Sequence, residues 1–284
     1  SGGNLILDTG SILNTGSNDT STSFAGTISG GGGIAKSGLG TWTLSGANTY
    51  QGGTTIHTGV ITLGSSSVGN ITSGPIGTGS LVIETGSALN LSGQSFTNSI
   101  TVSGSGLSGG GALFNSSSTL STVGGPISLA ANSLFQSGQG SGVSFSSTIS
   151  GAYDLTVSGS NTSFSQSAAF LNTGALTLGA SASDVFNFPN GLTVTSPSSI
   201  RLSGSFNSNN AALTLGDSNT AMLLQANTTV NSGTAVTTLG GTVNGAYALT
   251  VSSPVVISGG SVDTGTAAQS YASSVTLHAD TAIT

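Results

Sequence analysis

The sequence predicts an all-β fold, a parallel β-helix in which stacked coils build a single elongated rod. The first observation behind this prediction is a motif, apolar–Thr–apolar, that returns throughout the chain. Its copies begin at Ile61, Leu155, Leu176, Leu192, Leu213, Leu249 and Val275. Apolar residues two apart share one face of a strand, and the threonine between them points to the other face. The starts at positions 155, 176, 192 and 213 lie 21, 16 and 21 residues apart, which is typical of a solenoid.

The composition supports the same fold class. Charged residues make up 4 % of the chain, against roughly 25 % in an average soluble domain. Glycine, serine and threonine take their place, and glycine alone occurs 46 times. Because the chain is still 35 % hydrophobic and alternates with period two, it has the means to form a core, which disordered chains lack. Amphipathic stretches of period 3.6 are missing, so we expect strands and turns rather than helices.

A second repeat predicts that the coils differ in length. Thr-Ile-Ser-Gly begins at Thr27 and Thr148, and the related Thr-Val-Asn-Gly begins at Thr242. Their separations, 121 and 94 residues, share no common coil length. The last two copies continue alike through Tyr153 and Tyr247, and this equivalence favours a structural role in the coil for both tyrosines.

The expected organisation is one domain over residues 1–284. At about 22 residues per coil the chain makes about thirteen coils, and at about 4.8 Å per rung these span on the order of 60 Å. The chain starts without a basic and then apolar leader, and residues 280–284 still alternate like a strand. We therefore expect a segment of a larger exported protein.

Charge and cysteine content exclude several functions. The formal net charge is −6, and Lys36 and Arg201 are the two basic residues. A nucleic-acid partner needs a cluster of cations to replace phosphate counterions, and an anionic membrane surface needs the same, so both are disfavoured. Cysteine is absent, which excludes disulfides and thiolate metal sites. No apolar run reaches the roughly twenty residues that span a bilayer, so this segment is not expected to be membrane-embedded.

Residues 31–64, GGGIAKSGLGTWTLSGANTYQGGTTIHTGVITLG, carry a specific pattern. Its parts lie at 34–36 (apolar-x-Lys), 38–41 (Gly-x-Gly-Thr), 43–46 (Thr-Leu-Ser-Gly), 48–50 (Asn-Thr-Tyr), 52–55 (Gly-Gly-Thr-Thr) and 59–64 (Gly-x-apolar-x-Leu-Gly). This succession resembles the strand repeat associated with autotransporter passenger domains, with Trp42 standing where leucine is commoner. Residues 242–284 resemble, more loosely, units of long repeat-rich, haemagglutinin-like adhesins of Gram-negative bacteria.

This resemblance implies a right-handed parallel β-helix that is exported across an outer membrane. It implies an extracellular or outer-membrane cell-surface location in a Gram-negative bacterium. It brings no catalytic residues with it.

Catalytic and metal-binding candidates are weak. The eight acidic residues, Asp8, Asp19, Glu84, Asp154, Asp184, Asp217, Asp263 and Asp280, are scattered, whereas polysaccharide-cleaving β-helices use clustered carboxylates. We expect most of them in solvated turns. His57 and His278 are isolated, and a metal site needs three or four convergent ligands. No catalytic residue, metal site or cofactor is predicted, although stacking of coils could still bring distant acids together.

Aromatic side chains are the remaining candidates for recognition. Trp42 and Tyr50 are the positions where we expect a surface contact with a sugar ring or a partner, because aromatic rings on a solenoid can stack on sugars. An ice-binding surface would need regular threonine ladders, and most rungs carry one threonine between apolar neighbours.

The sequence therefore predicts a non-enzymatic structural or adhesive β-helix of a bacterial surface or matrix protein. Its expected partners are further copies of itself, head to tail or lateral, in a fibre or sheath, because low charge weakens repulsion between copies. Glycans or a host or matrix surface are further candidate partners, bound by repeated weak contacts. The alternative is a polysaccharide-binding or polysaccharide-degrading β-helix enzyme, of the tailspike or lyase kind.

Overall fold

The computed structural model describes residues 2–68, 71–138, 142–167, 169–278 and 281–284. Within these ranges it consists of short strands and turns, with a 3-10 turn at Leu107–Gly109 and no α-helix. The named strands pair in parallel throughout, as a β-solenoid of about thirteen turns. The prediction of an all-β parallel solenoid is confirmed.

The strands are β1 Asn4–Leu7, β2 Ile12–Thr15, β3 Thr22–Phe24, β4 Thr27–Gly30, β5 Gly33–Lys36, β6 Thr41–Leu44, β7 Thr54–Ile56, β8 Gly59–Leu63, β9 Leu81–Ile83, β10 Ser87–Asn90, β11 Ser95–Phe96, β12 Ile100–Gly104, β13 Leu113–Asn115, β14 Ser121–Val123, β15 Ile127–Ser137, β16 Val143–Phe145, β17 Ile149–Gly151, β18 Leu155–Ser158, β19 Thr162–Phe164, β20 Phe170–Asn172, β21 Leu176–Leu178, β22 Val185–Asn187, β23 Leu192–Val194, β24 Ser199–Asn207, β25 Leu213–Leu215, β26 Ala221–Asn231, β27 Thr237–Leu239, β28 Val243–Gly245, β29 Leu249–Val251, β30 Val255–Ile257, β31 Ser261–Asp263, β32 Gln269–Tyr271, β33 Val275–Leu277 and β34 Ala282–Ile283.

The chain divides into two units, Ser1–Val143 and Ser144–Thr284. Each unit is a parallel solenoid with its own buried interior. The single domain that the sequence suggests over residues 1–284 stays a prediction. The sequence predicts a strand over residues 280–284. The structure contains β34 at Ala282–Ile283 there, and Asp280 lies outside the described residues.

In the first unit, strands stack in rows that run from coil to coil. One row is β2–β5–β7–β9–β12–β15, and a second is β3–β6–β8–β10–β13–β15. β1–β4 and β11–β14 belong to further parallel pairings. Strand interiors alternate in burial, as in β7, where Thr54 and Ile56 are buried and Thr55 between them is half-buried. Alternate side chains therefore fill the core of each coil.

Backbone crowding explains some of the glycines. Gly26 and Gly46 lie in successive coils, and a Cβ atom on Gly46 would collide with the carbonyl oxygen of Gly26. A Cβ atom on Gly26 would likewise collide with the carbonyl oxygen of Gly3. This close backbone approach, rather than an unusual φ angle, requires glycine at both positions.

The second unit contains three long rows, which we call rows I, II and III, and a further parallel pair, β17–β20. Row I is β18–β21–β24–β26–β28–β31–β34, row II is β16–β19–β22–β24–β26–β29–β32, and row III is β23–β25–β27–β30–β33. The long strands β24 and β26 serve rows I and II, with a register shift between Leu202 and Gly204. Together the rows enclose the core.

Coil length in this unit is read from the paired residues of row I. Residues 155, 176, 200, 222, 243 and 262 occupy one column, so successive coils advance by 21, 24, 22, 21 and 19 residues. The expected length of about 22 residues per coil agrees with these values. Variable coil length, which the unequal repeat spacing predicts, is also observed.

The apolar–Thr–apolar motif does not mark one fixed position on the coil. Its copies at Leu155 and Leu176 lie in row I, the copy at Leu249 lies in row II, and those at Leu192 and Leu213 lie in row III. The 16-residue interval between 176 and 192 is therefore a step from one row to another, and reading it as a coil spacing is wrong. The motif fits any strand whose first and third side chains point inward and whose second points outward, and such strands occur in all three rows.

Phenylalanine rings fill part of the second unit's core. The ring centroids of Phe164 and Phe188 lie 5.8 Å apart, and those of Phe186 and Phe206 lie 5.2 Å apart, both pairs nearly parallel. Phe164 also tilts against Phe170 at 4.6 Å. All are buried. Burying each ring stabilises the fold by about 1.5–3 kcal/mol, and offset stacking adds about 0.5–1.5 kcal/mol.

Candidate functional site

The two aromatic residues expected at the surface, Trp42 and Tyr50, are buried. Trp42 is 7 % exposed and points to the same side of β6 as Leu44, because residues two apart share a face. Tyr50 has no exposed surface, and its hydroxyl group forms a hydrogen bond with Thr54 Oγ1. Burial raises the pKa of Tyr50. The prediction of a sugar or partner contact at these two residues is therefore wrong: both rings belong to the core.

Tyr153 and Tyr247 are instead the exposed tyrosines, each with 43 % of its surface accessible. Tyr153 follows β17, which pairs with β20, whereas Tyr247 follows β28 of row I and precedes β29 of row II. The Asp154 carboxylate beside Tyr153 accepts a hydrogen bond from the Ala175 N–H at 2.8 Å. Equivalent sequence positions thus lie at different turns of the coil. The structural role expected for both tyrosines stays a prediction, since both rings are exposed.

Acidic side chains in the described residues mainly hold turns. Carboxylate oxygens of Asp19, Asp184 and Asp263 accept hydrogen bonds from backbone N–H groups of Leu39 at 2.7 Å, Ala180 at 2.8 Å and Gly265 at 2.8 Å. Asp217 accepts from the Thr220 hydroxyl and the Asn219 N–H, and these bonds lower its pKa. Asp19 and Asp217 lie in turns as expected, whereas Asp184 is buried and Asp263 is the last residue of β31.

One acid–histidine contact was missed by sequence reasoning. Glu84 Oε2 lies 3.0 Å from His57 Nδ1, and both side chains are exposed. The strands that precede them, β7 and β9, pair with Ile56 opposite Ile83, which places the following residues side by side. In the described ranges no group of three His, Cys, Asp or Glu side chains is close enough to hold a metal ion. The pair alone offers two ligands, fewer than a metal site requires.

Lys36 has a role that the sequence does not reveal. Its side chain is buried, and Nζ donates hydrogen bonds to the carbonyl oxygens of Ser37 at 2.8 Å, Gly38 at 2.7 Å and Thr58 at 3.3 Å. Burial lowers the pKa of Lys36, and the charge of nearby Asp19 opposes this effect. Thr58 lies in the next coil, so the ammonium group ties together two coils from the inside.

An open groove of about 320 Å³ lies on the outside of the second unit. It is lined by Ser163, Asn187, Phe188, Pro189, Asn207, Ser208 and Asn209. Three of these residues carry primary amides, which both donate and accept hydrogen bonds. None of them is charged. No motif in the sequence marks this groove, because its residues come from separate coils and meet only through strand register.

No helix in the described part of the chain has the length and apolarity needed to cross a bilayer. No solved structure was found to match the chain.

The chain is similar to autotransporter proteins in two comparisons. Residues 34–63 match the family model of the passenger-associated-transport-repeat. The chain is also 32 % identical over 144 residues to the Adhesin BmaC autotransporter of Brucella suis biovar 1 (strain 1330). That alignment covers 50 % of this chain and 4 % of the adhesin. Lys36, Trp42 and Tyr50, three of the buried residues of the first unit, all lie inside the matched repeat. The resemblance to autotransporter passenger repeats is thus confirmed, and the segment that matches the passenger-associated-transport-repeat, residues 34–63, lies within a parallel β-solenoid.

Proposed function

We propose that this chain is a non-enzymatic segment of an adhesin that a Gram-negative bacterium exports to its surface or releases. The observation that carries the proposal is a passenger-associated-transport-repeat built into a parallel β-solenoid. The similarity to an autotransporter adhesin over half of the chain supports it. The solenoid would hold an extended set of outer side chains in fixed positions, so that several weak contacts act together.

The turn contacts of the acids support a non-enzymatic role. Asp19, Asp154 and Asp184 each accept a backbone N–H hydrogen bond at 2.7–2.8 Å, so their carboxylates are engaged in holding turns. Hydrolysis of a glycosidic bond needs two carboxylates that face one substrate. No contact of this kind is found among the described acids, and no observation favours the enzyme alternative.

Surface location and adhesion are tested separately. Antibodies raised against the purified chain should label intact, unpermeabilised cells of the producing bacterium, and external protease should remove the label. Beads coated with the folded chain should be retained on host cells or matrix more strongly than beads coated with heat-unfolded chain. Labelling confined to permeabilised cells would overturn the surface location, and equal retention of both bead types would overturn adhesion.

The absence of catalysis has its own test. The purified chain is incubated with neutral and acidic polysaccharides, and new reducing ends or unsaturated products are measured. We expect no turnover. Sustained product formation would contradict the proposal and would favour a polysaccharide-degrading β-helix.

We also propose that copies of the chain associate with one another in a fibre or sheath. Two basic and eight acidic residues in 284 leave little electrostatic repulsion between copies. Burying outer apolar side chains such as Leu39, 60 % exposed, and Leu171, 43 % exposed, would add favourable free energy to association. Sedimentation velocity over a range of concentrations and electron microscopy of the secreted protein test this. A single monomeric species at every concentration would contradict self-association.

A further inference from the structure

A column of polar side chains runs along row II. Ser163, Asn187, Asn207 and Asn231 stand opposite one another on the successive strands β19, β22, β24 and β26. Neighbouring parallel strands lie about 4.8 Å apart, so the column repeats its amide groups at that fixed interval. The middle two residues of the column, Asn187 and Asn207, line the groove together with Asn209 from the turn after β24.

The amides in the groove have free hydrogen-bonding capacity. Asn231, at the end of the column, uses its Oδ1 to accept from the Gly233 N–H at 2.9 Å. Across the described chain, no hydrogen bond reaches the side-chain amides of Asn187, Asn207 or Asn209. A purely structural amide ladder would bond these groups to one another. Asn187 and Asn207 are half-buried. A hydrogen bond from a ligand to these amides therefore contributes more binding free energy than a hydrogen bond to a fully solvated amide.

The backbone below the groove is already paired. The Phe188 N–H donates to the Asn207 carbonyl at 2.8 Å, and the Ser208 N–H donates to the Asn231 carbonyl at 2.9 Å. A peptide therefore cannot bind here by adding a strand, which requires unpaired backbone groups. Recognition has to use the side chains.

The groove's chemistry favours a neutral ligand that is rich in hydroxyl groups. No charged residue lines it, so an ionic ligand would lose hydration without gaining a counter-charge. Primary amides and the hydroxyl group of Ser163 both donate and accept, as sugar hydroxyl groups do. The Ser208 hydroxyl is already bonded to the backbone of Ala211 and contributes only to the lining. Exposed Pro189 adds an apolar surface that can contact the C–H face of a sugar ring. The volume of about 320 Å³ is at the lower end for small-molecule sites.

We propose that this groove binds a neutral saccharide through the amides of Asn187, Asn207 and Asn209. The inference deepens the proposed adhesive function by naming the class of ligand and one site for it. Saccharide binding is tested with the purified chain in solution and adhesion is tested on cells. Saccharide binding can therefore fail while adhesion succeeds, and adhesion can fail while saccharide binding succeeds.

The test uses the purified 284-residue chain with four oligosaccharide probes. Chitotetraose, cellotetraose and mannotetraose are neutral, and tetragalacturonate is the acidic comparison. Saturation-transfer NMR at millimolar probe concentration detects weak binding, and titration calorimetry then gives affinities. We expect at least one neutral probe to bind and the acidic probe to bind less.

Variants locate the site. N187A and N207A should each lower the affinity for the neutral probe about fivefold to tenfold, because each variant loses one hydrogen bond. The double variant should abolish binding. N207L keeps a similar side-chain volume and should behave like N207A. N244A is the matched control, because Asn244 is an exposed, outward residue in the middle of β28 and lies outside the groove. Circular dichroism melts establish that each variant is folded.

Three results would overturn the proposal. The first is that none of the neutral probes binds. The second is that a neutral probe binds the folded double variant as well as the original chain. The third is that tetragalacturonate binds as tightly as the neutral probes, since a groove without cations cannot favour it.

Discussion

His57 and Glu84 lie 27 residues apart in sequence, yet Nδ1 and Oε2 are 3.0 Å apart. They meet because β7 and β9 stack in register, so that equivalent turns of two coils are neighbours. Both side chains are exposed. An exposed ion pair contributes about 0–1 kcal/mol to stability, since water and salt screen it.

We therefore expect a small coupling between these two residues. A double-mutant cycle of H57A and E84A, followed by urea unfolding near neutral pH, should give a coupling of less than about 1 kcal/mol. The coupling should shrink further in about 1 M salt, where the Debye length is about 3 Å. A salt-independent coupling well above this range would contradict the assignment of a screened surface contact.

Replacing Lys36 should destabilise the first unit. K36M keeps the length of the side chain but leaves the carbonyl oxygens of Ser37, Gly38 and Thr58 without the ammonium donor. The expected loss in the free energy of unfolding is about 2–4 kcal/mol, since each buried acceptor left unpaired costs about 1–3 kcal/mol. Urea unfolding measures it. A loss below about 0.5 kcal/mol, the size of an ordinary surface change, would contradict the role of Lys36 inside the coil.

Tyr50 should make the protein labile at alkaline pH. The phenol of an unfolded chain ionises at about pH 10, and burial raises the pKa of Tyr50 in the folded state. The stabilising effect is therefore complete below about pH 10 and is lost as the pH rises from there through the folded pKa, because the unfolded chain releases its proton first.

The variant Y50F isolates this effect. At neutral pH it should cost about 1 kcal/mol through the lost hydrogen bond to Thr54. Above about pH 10 its stability should fall less steeply than that of the original chain. Urea unfolding at a series of pH values gives both slopes, and identical alkaline slopes would show that Tyr50 is not the group responsible.

Gly46 should not tolerate a side chain. In G46A the new Cβ atom meets the carbonyl oxygen of Gly26, a backbone atom that cannot turn aside. We expect a loss of about 1–3 kcal/mol, as for overpacking of a core. G3A is the matched control, because no atom lies within 4 Å of a Cβ atom placed there. Equal thermal stability of the two variants would count against close backbone stacking.

Phe164 should be one of the most sensitive positions of the second unit. It stacks against Phe188 and tilts against Phe170, and F164A would leave a cavity among these rings. The expected cost is about 3–5 kcal/mol. L171A, at a residue that is 43 % exposed, should change stability by less than about 0.5 kcal/mol. If F164A proved as mild as L171A, the stacked rings would not be a major part of the core.

The sequence predicts the fold class because burial in a narrow solenoid imposes alternation on many of the strands, such as β7 and β21. The same alternation contains the signal that Trp42 is buried, since Trp42 and Leu44 are two residues apart. Tyr50 lies outside any strand, and only the structure reveals its partner Thr54. Alternation thus indicates which side of a strand faces inward, and it is silent about turns.

Strand register is what the sequence does not predict. Coils in row I vary from 19 to 24 residues, so the spacing between two residues does not tell whether they are neighbours. Strand register brings Asn187 and Asn207 to the same groove. It also brings His57 next to Glu84. A repeated motif does not resolve it either, because all three rows accept the same inward–outward–inward pattern.

Variation in coil length also has a consequence for how such a surface can change. A residue gained or lost in a turn leaves the paired strands on either side in their ladders, as the coils of 19 and 24 residues in row I demonstrate. Insertions and deletions at these places would therefore remodel the exterior one patch at a time while the interior persists. The exposed side chains could therefore change while the paired strands and the buried core stay the same.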